Sequence, residues 1–156
     1  MVKEQQMMAW KSARLEDLHV VMRFMAWKVI KKINVEWNNV GQPVGRGGRS
    51  LRKILGTVAR NASKLPIDIF VWSKIPKHLI EDVWDFIKRK YDVRQSEKKW
   101  IMKDISQKWK YHKYALRRNF FKQSMKIVQM NPPEHLHISA DMWKEAVKLW
   151  TSEHWV

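Results

Sequence analysis

The sequence predicts a mainly α-helical protein, a compact domain of four to five helices with a short extended or hairpin segment near residues 33–45. Apolar side chains recur at helical spacing in several segments, and short stretches rich in Gly, Pro and Asn separate those segments. An apolar fraction of 45% in 156 residues is enough for one hydrophobic core. We expect an N-terminal amphipathic helix over residues 1–32 and a helical domain over residues 33–155.

The N-terminal part of the chain combines one helix with a short extended segment. Helical spacing predicts the first helix from Leu15, Leu18, Met22, Met25 and Val29. Ile33, Val35 and Trp37 then alternate with polar residues, which is typical of a strand. Residues 38–48 are rich in Asn and Gly, so an extended arm or a small hairpin follows.

Two further helices precede the most basic part of the chain. Ser50 is a good N-cap for a helix whose apolar face carries Leu51, Ile54, Leu55 and Val58. The next helix is predicted to begin after Pro76 and to end at Tyr91, with Ile80, Val83, Trp84 and Ile87 at helical spacing. Its outer face carries Glu81, Asp82 and Asp85.

A long helix is predicted from Ser96 to Lys122, and a last short helix after the N-cap Ser139. The apolar face of the long helix comprises Ile101, Met102, Ile105, Trp109, His112, Leu116 and Phe120. We expect this face to pack on the helix that ends at Tyr91. In the last helix, Trp143, Ala146, Val147 and Trp150 are predicted to face inward, and Trp84 and Trp109 are further core candidates.

The charge of the chain indicates a polyanionic partner. Thirty-one Lys and Arg against 15 Asp and Glu give a net charge of +16, which attracts DNA, RNA or anionic lipid. The absence of cysteine excludes disulfides and thiolate metal sites. No apolar run reaches the length of a membrane span, and charged residues interrupt any secretory signal near the N-terminus.

Cations on two predicted helices are the candidate nucleic-acid-binding residues. The larger group, the basic stripe, lies opposite the apolar face of the long helix and comprises Lys99, Lys103, Lys110, Lys113 and Arg117, with Arg118 beside it. A smaller stripe comprises Arg49, Lys53 and Arg60, and Gly56 between them would let a phosphate backbone approach. The alternative is that both are solvated faces that aid solubility.

Three aromatic residues, Trp100, Tyr111 and Tyr114, form an aromatic arc between the apolar face and the basic stripe. Aromatic side chains beside cations stack on unpaired bases. Large aromatics are more often packing residues, so we interpret this arc as a contact with the terminal helix or with a partner subunit. Comparison with Myb-like domains is an analogy of architecture, in which Lys110, Lys113, Arg117 and Arg118 would touch DNA.

The sequence offers no pattern for catalysis, a metal or a nucleotide cofactor. The segment from Gly45 to Ser50 lacks phosphate-loop spacing, although a phosphate near Ser50 would suit a helix N-terminus. The histidines lack zinc-ligand spacing, and His112 is interpreted as a partly buried helix residue. No series of strands gathers the acids that a metal-dependent nuclease needs. We therefore expect no enzyme activity, no cofactor, no metal and no small-molecule substrate.

An ordered series of motifs resembles the plant transposase family Ptta/En/Spm, a domain of CACTA-type transposable-element proteins. The series runs GQPVG (Gly41–Gly45), LGTVARN (Leu55–Asn61), VWDFIKRKYDV (Val83–Val93), KKWIMKDISQKWKYHKYALRRNFF (Lys98–Phe121) and NPPEHL…WKEAVKLW (Asn131–Trp150). Trp72 and Pro76 lie between the second and third motifs. The resemblance covers residues 33–155, and the segment before it differs from the long polar tail of many family members.

The resemblance implies a nuclear, non-catalytic role in a transposable-element protein, with strand cleavage assigned to a separate protein. Together with the basic stripe, it favours a DNA-binding accessory domain. A protein-interaction or oligomerisation module that docks other transposase subunits or a second copy through the aromatic arc or N-terminal helix is the main alternative. Membrane-surface binding by residues 1–32 and a degenerate copy without function are the remaining hypotheses.

Overall fold

The computed structural model describes residues 32–120 and 131–152, nearly all of which belong to the compact unit Asn34–Val156. The fold is mainly α-helical, as predicted. Within the described residues lie four α-helices, α1 (Gly45–Ala59), α2 (Lys77–Lys90), α3 (Lys98–Phe120) and α4 (Ala140–Thr151), and four two-residue strands, β1 (Ile33–Asn34), β2 (Glu36–Trp37), β3 (Pro43–Val44) and β4 (Tyr91–Asp92).

The predicted extended segment is a small hairpin. Strand β2 pairs with β3 in antiparallel register, with Trp37 opposite Pro43, while β1 pairs with β4. The turn between β2 and β3 is held by the side chain of Asn38, whose Oδ1 accepts hydrogen bonds from the backbone N–H groups of Val40 and Gln42. Gly41 has φ +76°, a conformation that side chains with a Cβ rarely adopt.

Helix α1 begins six residues before Leu51, the first helical residue that the sequence predicts. Ser50 is not an N-cap: it lies within the helix, and its hydroxyl is 2.7 Å from the Tyr91 hydroxyl. The prediction failed because the glycines of this segment serve close packing instead of a turn. A Cβ on Gly47 would lie 1.8 Å from the Asn34 carbonyl oxygen, and one on Gly48 would lie 2.7 Å from the Pro43 carbonyl carbon. Glycine therefore lets the first turns of α1 lie directly on β1 and on strand β3 of the hairpin.

Helix α2 has the predicted bounds to within one residue, with Pro76 as its N-cap. The expected packing of α3 on α2 is only partly right, because α1 makes the most extensive helix contact with α3. All three helices contribute to one core, in which Leu51, Leu55, Val83, Trp84, Ile87, Ile101, Ile105 and Trp109 are buried. Spacing alone assigns a residue to an apolar face but does not say which helix covers that face.

Helix α4 closes a second core on the other end of α3. Ser139 is its N-cap, as predicted, and accepts a hydrogen bond from the Met142 backbone N–H at 3.2 Å. Trp143 and Trp150 are buried and stack edge to face at 5.3 Å between ring centroids. They pack with Ala62 and Ile67 from the segment between α1 and α2, with Leu116 of α3, and with Ile138 just before α4.

The predicted helix in residues 1–32, apart from residue 32 itself, and the predicted last two residues of the long helix, 121 and 122, lie outside the described residues. Across residues 32–120 and 131–152, no helix combines the length and apolar character needed to cross a membrane.

Candidate nucleic-acid interface

The outward face of α3 carries three exposed lysines in a row. Lys99, Lys103 and Lys110 are exposed, and at 100° per residue they lie within about 40° of one another around the helix axis. We call them the outer lysine row. Asp104 is the sole acid in the sequence of α3, and its carboxylate forms an ion pair with Lys108, one turn later. Lys108 also donates to the Arg52 carbonyl oxygen at 3.1 Å. The carboxylate of α3 is therefore paired with Lys108 and does not neutralise a member of the outer lysine row.

Lys113 does not belong to the exposed surface, and its prediction as a phosphate contact is wrong on this point. Its side chain is 1% exposed. The ammonium group donates to the carbonyl oxygens of Ile69 at 2.7 Å and Phe70 at 2.9 Å, and it lies 3.5 Å from the centroid of the Trp109 ring. Lys113 follows Trp109 by four residues, which is only about 40° around the helix, so it lies at the edge of the buried face.

Burial changes the acidity of the Lys113 ammonium group. Desolvation is the larger cause and the positive charge of Lys110 the smaller, and together they lower the pKa of Lys113 from 10.5 to about 8. A buried ammonium group needs compensating interactions. Here two carbonyl oxygens accept its hydrogen bonds and the Trp109 ring provides a cation–π contact. Lys113 thus joins the irregular segment before α2 to the middle of α3.

The two arginines near the end of α3 differ in accessibility. Arg118 is exposed, and its guanidinium carbon lies 6.0 Å from the centroid of the Tyr114 ring. Arg117 is half-buried. Arg118 therefore extends the cationic surface along α3, whereas Arg117 presents only part of its side chain.

The smaller stripe, on α1 and its C-cap Arg60, is exposed at all three predicted positions, Arg49, Lys53 and Arg60. The expected role of Gly56 is not the observed one. Gly56 is buried, and a Cβ there would lie 3.2 Å from Nη1 of Arg60, so the Arg60 side chain already occupies the approach. Arg60, Tyr111 and His112 line a recess of about 450 Å³ between α1 and α3.

His112 is partly buried, as the sequence predicted. Desolvation, followed by the positive charge of Arg60, lowers the pKa of its imidazole. Its Nε2 atom is out of contact with water and has no hydrogen-bond partner among the described residues. The neutral imidazole is therefore the expected form at neutral pH. Within the described part of the chain, no three His, Asp or Glu side chains are grouped as metal ligands would be.

The aromatic arc divides into one packed and two exposed residues. Trp100 is half-buried, with its ring edge to face with Trp37 at 5.6 Å and the Arg52 guanidinium 5.3 Å from its centroid. Trp100 is therefore a packing residue, but it packs on Trp37 and Arg52 and not on the terminal helix. Tyr111 is 65% and Tyr114 51% exposed, so the terminal helix buries neither of them, and their contact with a partner subunit stays a prediction. Arg52, which sequence reasoning missed, is the cation beside the packed member.

A groove on the other side of α3 was not predicted. The irregular segment that contains Phe70 and Val71 runs alongside α3 and leaves a groove of about 400 Å³, which we call the α3 groove. Trp72, Trp109, Lys110 and Tyr114 are among its lining residues. The signal in the sequence was a pair of adjacent large apolar residues before Pro76, Phe70 and Val71. Both are exposed in the structure, as apolar residues at a binding surface often are.

Comparisons of the sequence with protein-family models and with curated proteins, and of the fold with solved structures, find no match in any of the three.

Proposed function

We propose that this protein is a non-catalytic nucleic-acid-binding domain that contacts DNA phosphates through α3. The observation that carries the proposal is the outer lysine row, in which Lys99, Lys103 and Lys110 share one exposed arc. Lysines in such a row neutralise successive phosphates and release their counterions, which gives affinity without sequence preference. Arg118 and the smaller stripe on α1 supply additional exposed cations.

The biological setting of the proposal is an accessory role in a nuclear transposable-element protein. It rests on the ordered motifs from Gly41 to Trp150 that resemble the Ptta/En/Spm family. The non-catalytic assignment is supported by the carboxylates of α2, since Glu81, Asp82 and Asp85 are all exposed on one outer surface. A metal-dependent nuclease would instead require acids that converge on a common point.

The test is the salt dependence of DNA binding after removal of the outer lysine row. The triple variant Lys99→Gln, Lys103→Gln and Lys110→Gln is titrated against a fluorescent duplex by anisotropy, at several salt concentrations. We expect the slope of log K against log salt to fall in magnitude by about 2 to 3, because each lost phosphate contact removes about 0.9. Affinity at low salt should fall by about tenfold or more.

A matched control removes the same number of charges elsewhere. The variant Lys77→Gln, Arg89→Gln and Lys144→Gln changes three exposed cations on α2 and α4. It should keep most of the affinity and of the salt slope, because these residues lie off the α3 arc. Equal losses in the two triple variants would show that net charge, and not the outer lysine row, determines binding. Absence of binding to duplex and single-stranded DNA at low salt would refute the proposal.

The second candidate function is a protein-interaction or oligomerisation module. The observation that favours it is the exposed Tyr111 at the α1–α3 recess, since exposed tyrosines beside a concavity are common at interfaces. Light scattering across a concentration series separates the two candidates. A dimer that Tyr111→Ala dissociates supports the module, and a monomer at every concentration counts against self-association.

A further inference from the structure

The α3 groove has the shape and lining of a site for a flat aromatic group. Phe70 and Tyr114 are 40% and 51% exposed, and both line the groove. Trp72 and Trp109 line it as well, and their rings meet edge to face at 5.7 Å. A volume of about 400 Å³ leaves room for a single planar ring system with its substituents. Aromatic walls of this kind stack on nucleobases whatever the base identity.

The charges beside the groove indicate that its occupant belongs to a polyanion. Lys110 is exposed and lines the groove, and it is also the last member of the outer lysine row. Tyr114 follows Lys110 by one turn, so the aromatic ring and the ammonium group share one arc of the helix. A nucleic-acid strand whose phosphates lie along the row would bring a base to Tyr114. An apolar protein side chain would enter the groove without using these charges.

The groove wall is held in place without a ligand. Lys113 donates to two consecutive carbonyl oxygens of the wall, those of Ile69 and Phe70, and Nε1 of Trp109 donates to the Pro66 carbonyl at 3.1 Å. These bonds fix the segment against α3. A wall that is already positioned loses little conformational entropy when a base binds, which favours affinity.

We propose that the α3 groove binds one unpaired nucleobase of a single-stranded segment whose phosphates contact the outer lysine row. This inference rests on the proposed nucleic-acid binding and adds a substrate class to it. In a duplex both faces of a base are covered by its neighbours in the stack, so only an unpaired or extruded base enters such a groove. Tyr114 and Phe70 supply the stacking surfaces, and Lys110 contacts the adjacent phosphate.

The experiment compares two single strands that differ only in their bases. One carries a base at every position, and the other has abasic sites in its central part, with the same number of phosphates. The wild-type protein should bind the complete strand about fivefold or more tightly than the abasic strand, as the loss of one base stack requires. Tyr114→Ala should bind both strands with equal affinity and leave duplex affinity unchanged.

Control variants separate the groove from the other exposed aromatic and from the phosphate contacts. Tyr111→Ala removes an exposed tyrosine on the same helix but outside the groove, and it should discriminate between the strands as wild type does. The outer-lysine-row variant should lose affinity for both strands by the same factor. Should Tyr114→Ala lose its helical circular dichroism, Phe70→Ala tests the opposite wall of the groove.

Several outcomes would overturn the inference. Wild-type protein that binds both strands equally, with steep salt dependence, refutes the base site and leaves the proposed function standing. Absence of binding to either strand and to duplex refutes the proposed function and the base site together. Self-association of the wild type that Tyr114→Ala abolishes, with equal affinity for the two strands, would assign the groove to a second copy of the chain.

Discussion

The Lys113 side chain places an ammonium group inside the protein, where two carbonyl oxygens replace water. Its pKa is lowered from 10.5 to about 8, so the folded protein gives up this proton more readily than the unfolded chain does. Between these values the unfolded state binds more protons, and stability therefore rises with pH. Below about pH 8 the folded state carries the full cost of the buried charge.

This linkage gives a prediction for the pH dependence of stability. From about pH 7.5 to about pH 9.5, the free energy of unfolding of the wild type should rise relative to that of Lys113→Met by about 2 kcal/mol. Urea unfolding at the two pH values measures the difference. Lys103→Met, which removes an exposed lysine of the same helix, should show no such change relative to wild type. A difference between wild type and Lys113→Met that is independent of pH would contradict the lowered pKa.

At the residue scale, the sequence identified the strongly apolar positions and misjudged the amphipathic ones. Trp109, Trp143 and Trp150 are buried as predicted. A large apolar side chain at the centre of an apolar helix face packs into the core whichever segment covers that face. Lys113 lies at the edge of the buried face and Tyr114 on the exposed arc that it shares with Lys110, and long amphipathic side chains are compatible with either environment. Which one occurs depends on the segment that packs beside α3, and that segment lies more than 40 residues earlier in the chain.

At the scale of elements, helix α1 uses two of its glycines for different purposes. Gly47 lies so close to β1 that a Cβ would overlap the Asn34 carbonyl oxygen at 1.8 Å. Gly56 lies near the other end of the helix, where the nearest atom to an added Cβ is the Arg60 guanidinium at 3.2 Å. The first neighbour is backbone and cannot move alone, whereas the second is the end of a flexible, exposed side chain.

Alanine substitutions at these two glycines should therefore have opposite effects. Gly47→Ala should lower the free energy of unfolding by about 3 kcal/mol, because α1 must shift away from β1. Gly56→Ala should raise it by up to about 1 kcal/mol, since Ala has the higher helix propensity. Urea denaturation of the two variants beside wild type measures both. Destabilisation by Gly56→Ala of similar size to that by Gly47→Ala would mean that the Arg60 guanidinium cannot move.

Element boundaries followed from the sequence where local chemistry determines them. Pro76 limits α2 and Ser139 caps α4, and both helices begin where these residues predict. The start of α1 could not be predicted in this way. The glycines that predicted a turn lie within the helix, where they permit a close contact with the backbone of a strand. Such a contact depends on a strand that is earlier in the sequence, and no periodicity within α1 reveals it.

At the scale of the whole molecule, a net charge of +16 makes the chain repel itself. We expect the thermal unfolding midpoint to rise as NaCl increases from about 20 to about 200 mM, because salt screens this repulsion. Circular dichroism at the helix band measures the midpoint. The outer-lysine-row variant carries three fewer charges and should show a smaller rise. A midpoint that falls with salt would indicate that ion pairs such as that of Lys108 with Asp104 outweigh the repulsion.

The fold class and the cationic surface could be predicted from the sequence, and the α3 groove could not. Helical periodicity is a property of a short segment and net charge is a property of composition, so both can be read from the sequence alone. The groove exists because an irregular segment around Phe70 lies against a helix that begins nearly 30 residues later. No local pattern specifies that pairing, since the segment has neither strand nor helix spacing.

The hydrogen bonds of this segment also bear on the order in which the protein folds. The carbonyl groups of Pro66, Ile69 and Phe70 accept from two side chains, Trp109 and Lys113, which lie 43 or 44 residues later. A helix can form from local contacts, whereas these three carbonyl hydrogen bonds cannot form until α3 is present and the intervening chain has closed. We therefore expect the groove to be completed late in folding, after the helical core that supports it.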